Sequence, residues 1–281
     1  WELYFEQYKK IPQFKFLNAQ MDLTQFKIIF YWEYFHRLFA RIIGLFFLIP
    51  LIYFYLSGKI KKEYMYSCFV IFLLIILQGI VGWYMVKSGL INDVTVSHYR
   101  LSIHLFLAFI IISSIFWLIK NILNKTNKFF FNTSRKNIPF VLLIILLFFQ
   151  IIIGAWVSGL DAGRIYQTWP LMGSTYLPND IIFKDIKNLI DLNNHSLVQF
   201  YHRNLAYLIS IYIFFLSVYI YKKKSKLFKY IKLVIFFLFL QIILGILTLI
   251  SGLNIYLALS HQISSVFLIF SAINLYYFQA K

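Results

Sequence analysis

The chain has 281 residues, of which 61% are hydrophobic and 13% charged, with a formal net charge of +17 and a mean hydropathy of +0.74. A soluble globule is excluded, because seven long apolar runs leave too little polar surface to cover one. The charge does not point to nucleic acid, since the lysines cluster in short loops between apolar runs, and the lone cysteine, Cys68, allows no disulfide within the chain and reads as a packing residue.

A bilayer-spanning helix needs about 20 apolar residues, and runs of that kind read at 33–56 (A), 64–86 (B), 98–119 (C), 138–158 (D), 197–221 (E), 227–250 (F) and 256–279 (G). Run A opens on Glu33-Tyr34-Phe35-His36-Arg37. Run B carries Gln78-x3-Gly82 and ends on Ser88-Gly89-Leu90, and run C carries His98, Arg100 and His104. Run D carries Gln150-x3-Gly154 and ends on Ser158-Gly159-Leu160. A long loop, about 159–195, follows with Trp169-Pro170-Leu171-Met172 at its centre; long loops are often functional, and this one could cover a cofactor edge. Run E opens on Gln199-Phe200-Tyr201-His202-Arg203, run F repeats the phrase as Gln241-x3-Gly245 and Ser251-Gly252-Leu253, and run G carries His261.

The order His-Arg, Ser-Gly-Leu, His therefore occurs twice, in A–C and in E–G, and run D has no counterpart in the first half. The duplication predicts an all-α polytopic membrane protein of two pseudo-symmetric four-helix bundles, related by an axis along the membrane normal. Seven of the eight helices are in this chain. A further helix ending in a Ser-Gly-Leu-like phrase is expected before Trp1. Residues 1–32 read as a lead-in, 33–137 as the N-terminal half-bundle and 138–281 as the C-terminal bundle.

Cations set the orientation. The A–B, C–D and E–F loops and the C-terminus hold fifteen Lys and Arg residues against one acid, Glu63. The segments on the other side hold eight cations and eight acids, so the basic side reads as cytoplasmic. Runs A, C, E and G all start on the opposite, periplasmic side. A histidine about six residues into each helix lies roughly 9 Å along its axis, which places all the candidate ligands at one depth near the outer face.

An ionisable residue inside a membrane helix is a functional candidate. Four histidines at one depth on repeat-related helices point to axial ligation of a flat metal cofactor, and two neutral imidazoles give a low-spin haem site. Arg37 and Arg203 directly follow such histidines and suit carboxylates such as haem propionates, which Arg holds in a bidentate fork. Arg100 reads as snorkelling to the interface. Glu33 lies three residues before His36, on the same helical face, where the second half has Gln199. Ser196-x2-Gln199 also reads as a capping box, with the Ser-Gly-Leu glycines as C-caps and Gly82, Gly154 and Gly245 as close-contact positions. The Glu33/Gln199 asymmetry suggests one reactive site and one electron-transfer site.

These residues, together with Gln78-Gly79-x2-Gly82-Trp83-x-Met85-Val86, Tyr99-Arg100-Leu101-x2-His104-Leu105, Gly159-Leu160-Asp161-Ala162-Gly163 and His261-Gln262, resemble the haem A synthase family along essentially the whole chain. The branch resembled is the alphaproteobacterial and mitochondrial one, which lacks extracellular cysteine pairs. The resemblance implies eight helices and an oxidoreductase acting on a CH group: the C8 methyl of haem O becomes the formyl of haem A, for terminal oxidases. It implies that His36 and His104 hold the substrate haem with Glu33 beside the reacting methyl, and that His202 and His261 hold haem b. It further implies a bacterial inner-membrane location with the haem sites near the periplasmic face. Haem O synthase and oxidase assembly factors are the implied partners, and self-association is open. One conflict arises. The spacing from Ser-Gly-Leu aligns His98 with His261, whereas the family motif selects His104; His104 is taken as the ligand, with His98 a secondary contact at the water boundary. A dihaem b-type electron carrier or quinol oxidoreductase is the alternative, and it leaves the Glu33/Gln199 asymmetry unexplained.

Overall fold

The computed structural model describes residues 1–89, 94–131, 134–181, 186–223 and 226–280. Leu90, Asp93, Lys184, Asp185, Lys224 and Lys281, used above for helix ends and charge, lie outside the described residues. Among the described residues the named elements are all helical. They are α1 (Glu2–Tyr8), α2 (Pro12–Leu17), α3 (Leu23–Ser57), α4 (Lys62–Gly89), α5 (His98–Leu123), α6 (Ile138–Gly159), α7 (Ile186–Leu189), α8 (His195–Lys222), α9 (Phe228–Ile250) and α10 (Ile255–Gln279), with one 3-10 turn at Ala162–Arg164. Seven of them, α3 to α6 and α8 to α10, are long and apolar enough to cross a membrane. The protein is an all-α polytopic membrane protein.

Helix α3 starts ten residues before the apolar run that marks it, because of its cap. The Asp22 carboxylate accepts from the Gln25 N–H at 2.8 Å, and the Gln25 side chain accepts from the Asp22 N–H at 3.2 Å, a closed capping box. The resulting helix has 35 residues, about 52 Å at 1.5 Å per residue, against a hydrocarbon core of about 30 Å. Gly58, at φ +63°, ends it in the left-handed conformation that glycine adopts at low cost. Large apolar side chains such as Trp32, Phe46 and Leu56 are left on the outside of α3, as a lipid-facing surface requires.

Two other expected helix ends are corrected. Helix α8 is capped by Asn194, whose side-chain oxygen accepts from the Leu197 N–H at 3.0 Å. The helix thus begins before Ser196, and Ser196 and Gln199 are buried inside it instead of forming a capping box. Of the Ser-Gly-Leu phrases, the one ending α9 behaves as expected: Gly252 takes φ +72°, and the Leu253 N–H returns to the Thr248 carbonyl at 2.9 Å. At the end of α6 the glycine stays helical, and Asp161, at φ +52°, makes the turn instead.

The chain packs as two units, Trp1–Ile111 and Ile112–Lys281, so the division falls inside α5. In the first unit α3 packs on α4. The short α1 and α2 are held to the first turns of α3 by an aromatic cluster, with Trp1 5.0 Å from Phe30 and Phe5 5.2 Å from Phe26 between ring centroids. In the second unit α6 touches α8 and α10, and α9 touches the same two, closing a ring of four helices around Leu143, Ile209, Ile213, Ile231, Ile269 and Ile273. The end of α5 joins this unit through Phe116, stacked on Phe270 at 4.6 Å, and Trp117, stacked on Tyr276 at 5.5 Å. Beyond it, the Lys128 ammonium donates to the carbonyls of Tyr277 and Ala280. This satisfies acceptors that the end of α10 would otherwise leave open, and burial pushes the Lys128 pKa down.

Candidate functional site

The Gln-x3-Gly phrase has a structural meaning that its spacing alone did not disclose. In an α-helix residues four apart share a face, and each phrase presents its glutamine and glycine to a histidine on the next membrane-spanning helix. A methyl group placed on Gly82 would lie 2.8 Å from His104 Cε1; on Gly154, 3.1 Å from His202 Cε1; and on Gly245, 2.9 Å from His261 Cε1. Each imidazole therefore fills the notch that a missing Cβ leaves. The glutamine amide lies on the same ring: Gln78 Nε2 is 3.3 Å from His104 Nε2, Gln150 Nε2 is 3.2 Å from His202 Nδ1, and Gln241 Nε2 is 3.3 Å from His261 Nε2.

A second histidine stands within electrostatic range of His104 and of His202, each inside its own unit. In the first, His36 on α3 and His104 on α5 lie within each other's electrostatic reach. In the second, His202 on α8 and His261 on α10 do the same. His261 Nδ1 lies 3.1 Å from the main-chain carbonyl of Gln241. A carbonyl can only accept, so this nitrogen carries the proton and Nε2 keeps its lone pair. His104 Nδ1 is buried with no hydrogen-bond partner among the described residues.

His98 is not part of this arrangement. Its ring lies 3.9 Å from that of the adjacent Tyr99, and the residue is 7% exposed, so it is buried at the first turn of α5, away from the glutamine–glycine seats. His98→Ala is therefore expected to lower thermal stability while the haem retained per folded chain stays unchanged, as read by melting and pigment extraction on one preparation. Loss of haem from well-folded His98→Ala protein would contradict this. Arg100 does not snorkel freely either: its guanidinium lies 5.5 Å above the Tyr84 ring, and Nη1 is buried without a hydrogen-bond partner among the described residues.

The two halves differ beside their histidines. Glu33 forms an ion pair with Arg37 one turn on in α3, and both side chains are about half exposed. In the second half the neutral Gln199 is buried and donates to the Tyr166 carbonyl at 2.9 Å. Arg203 donates to the same carbonyl at 3.0 Å and to the Leu171 carbonyl at 3.2 Å, leaving its Nε buried and unpartnered among the described residues. Trp169 donates its indole N–H to Tyr207 at 3.1 Å, and Tyr176 bonds to Asn204. Gln199, Arg203 and Tyr207 are spaced four apart, so one face of α8 holds the loop that carries Trp169-Pro170-Leu171-Met172. Within that loop Met172 is almost fully buried, and the Tyr166 hydroxyl donates to Asp180 at 2.7 Å. Burial and the Asp180 contact push Tyr166 up. Asp180 is held down because hydrogen bonds from Ser196 and Tyr166 outweigh the opposing effect of burial.

A family model described as cytochrome oxidase assembly protein matches residues 1–273. The chain belongs to that family. It is 47% identical over 271 residues to a protein named haem A synthase from Pelagibacter ubique, 39% over 280 to one from Rickettsia canadensis and 37% over 279 to one from Flavobacterium johnsoniae. In each case the match covers 96% of this chain and 80% of the relative.

Of the residues singled out from sequence, the structure sets His36 within electrostatic range of His104 and His261 within that of His202, and pairs Glu33 with Arg37. It gives Arg203 a loop to hold instead of a purely ligand-directed role. Gln78, Gln150 and Gln241 were visible only as punctuation of a repeat. The available signal was that each stands one helix before a histidine at similar depth.

Proposed function

We propose that the chain converts haem O to haem A by oxidising the C8 methyl to a formyl group in its first half, with haem b held in its second half. The reading is supported by membership of the family and by the names of the relatives. The observation that carries it is the unequal pair of sites. His104, His202 and His261 sit in similar seats, yet the first half carries an ionisable, half-exposed Glu33 where the second carries a buried Gln199 committed to a loop carbonyl.

The residues fit haem. His261 has its Nδ1 tied to a carbonyl, so Nε2 holds the lone pair, which the Gln241 amide faces at 3.3 Å; His104 has a buried nitrogen with no partner among the described residues. Bound haem b supplies one-electron redox chemistry. His202 and His261 would hold it, and Arg203 Nε remains as a donor toward a propionate. In the first half His36 and His104 bind and orient the substrate, with Arg37 close to its carboxylates. Methyl to formyl takes its oxygen from one water and releases four electrons, to an external one-electron acceptor, and four protons; the Glu33 carboxylate, half exposed and one turn before His36, is assigned the role of taking a proton. The loop carrying Trp169-Pro170-Leu171-Met172, held to α8 by Gln199, Arg203 and Tyr207, would shield the edge of the second site. The protein is assigned to the bacterial inner membrane, with both sites toward the periplasm. The test is haem stoichiometry: purified chain from cells making haem O should bind two haems per chain when saturated, one of them haem b. A ceiling of one haem per chain would overturn the two-site reading.

A further inference from the structure

Glycine in a membrane helix is ordinarily explained by close approach of helix backbones, and three observations argue for something more specific here. First, at Gly82, Gly154 and Gly245 the nearest atoms to an added methyl all belong to an imidazole, whereas Gly44 and Gly79, also in membrane-spanning helices, meet nothing within 4 Å. Second, each glycine follows a glutamine by one turn, and that glutamine contacts the same ring. Third, Gln78 and Gln150 also donate to the main-chain carbonyl of the histidine they touch, at 3.1 Å and 3.0 Å. A carbonyl only accepts, so the orientation of each amide is fixed.

We infer that Gln78, Gln150 and Gln241 are positioning residues for His104, His202 and His261, each working with the glycine four residues on. The glycine notch confines the imidazole plane, and the glutamine fixes its rotation, so the ring is already aimed before a ligand arrives. Groups that orient a metal-ligating imidazole set both its affinity and its electronic character, and their loss typically costs roughly 10–100-fold in affinity or activity. The inference rests on the haem-ligand reading given above.

The three seats are not equivalent, and this makes them testable. At His202 the contacts come from the Gln150 side chain. At His261 the Gln241 main chain accepts from Nδ1 at 3.1 Å, while the side-chain oxygen accepts from Ser264. Replacing Gln241 by the similarly shaped Met keeps the main-chain bond to His261 Nδ1 and loses only the 3.3 Å side-chain contact at Nε2, whereas the same change at Gln150 removes all the amide contacts to His202.

The experiment uses the full chain in detergent with its bound haem. Gln150→Met and Gln241→Met are compared by haem per folded chain, by the low-spin ferric EPR signal and by the midpoint potential of the retained haem. Gln150→Met is expected to shift the g-values and potential, or to weaken haem retention by roughly 10–100-fold, while Gln241→Met, which keeps the main-chain bond to His261 Nδ1, is expected to change them less. Equal behaviour of the two variants, or an unshifted signal at full occupancy in Gln150→Met, would overturn the inference. Gly82→Ala and Gly79→Ala form a second comparison on one helix: the first should lower haem retention in the N-terminal half and the second should not, and equal retention would overturn the notch. A parent chain that binds no haem at all would instead sink the ligand reading itself.

Discussion

Glu33→Gln should leave haem bound in the first half and remove most of its conversion. The proposed ligands His36 and His104 are untouched, and the neutral amide reproduces what the second half carries at Gln199. A carboxylate that takes or gives a proton at a reacting group is typically worth about 10²–10⁴ in rate, and a loss of that size in haem A per bound haem is expected. The variant also frees Arg37 from its ion pair with Glu33. Both side chains are about half exposed, so this pair contributes little to stability, and the loss should be catalytic, with melting unchanged. Gln199→Glu should create no second active site. Its side chain is buried and donates to the Tyr166 carbonyl, so a carboxylate there loses that bond, faces the carbonyl oxygen and loosens the loop. Near-normal haem A from Glu33→Gln would remove the asymmetry and favour a plain dihaem carrier.

His202→Ala and His261→Ala should each abolish the low-spin haem of the second half. Each removes one of the two proposed axial ligands from a site where the other ring stays seated, by Gln150 and Gly154 or by Gln241 and Gly245. The expected result is loss of one haem per chain and of the corresponding EPR signal, with the haem of the first half retained. Haem O should still bind in such variants but turn over poorly for want of an electron exit. Retention of a native low-spin signal in either variant would show that the histidine is a packing residue.

Much of the architecture was legible because apolarity in a membrane chain is a strong signal: each of the seven runs falls within or nearly coincides with a helix. The ends were less legible, because capping is local chemistry that hydropathy does not register. Asp22 and Gln25 start α3 well before Glu33, Asn194 starts α8 ahead of Ser196, and Asp161 turns the chain after a Gly159 that stays helical. At the site, residue types alone picked out the histidines and Glu33. The roles of the glutamines and glycines were hidden, since they depend on which helix faces which. The loop contacts of Arg203 were hidden for a similar reason: a cation beside a candidate ligand suggests a propionate, and nothing in the chain order shows that the carbonyls of Tyr166 and Leu171 also reach it. The ambiguity between His98 and His104 came from counting residues after Ser-Gly-Leu. The seat formed by Gln78 and Gly82 faces His104, and His98 is packed against Tyr99.

The most direct measurement is chromatography of the haems extracted from membranes in which the chain is co-expressed with a haem O source, with no other haem A-forming activity present. Haem A should accumulate at the expense of haem O, and its yield should collapse with Glu33→Gln while total bound haem holds. Haem O and haem b in unchanged proportion, with the chain folded and both haem sites filled, would contradict the assignment.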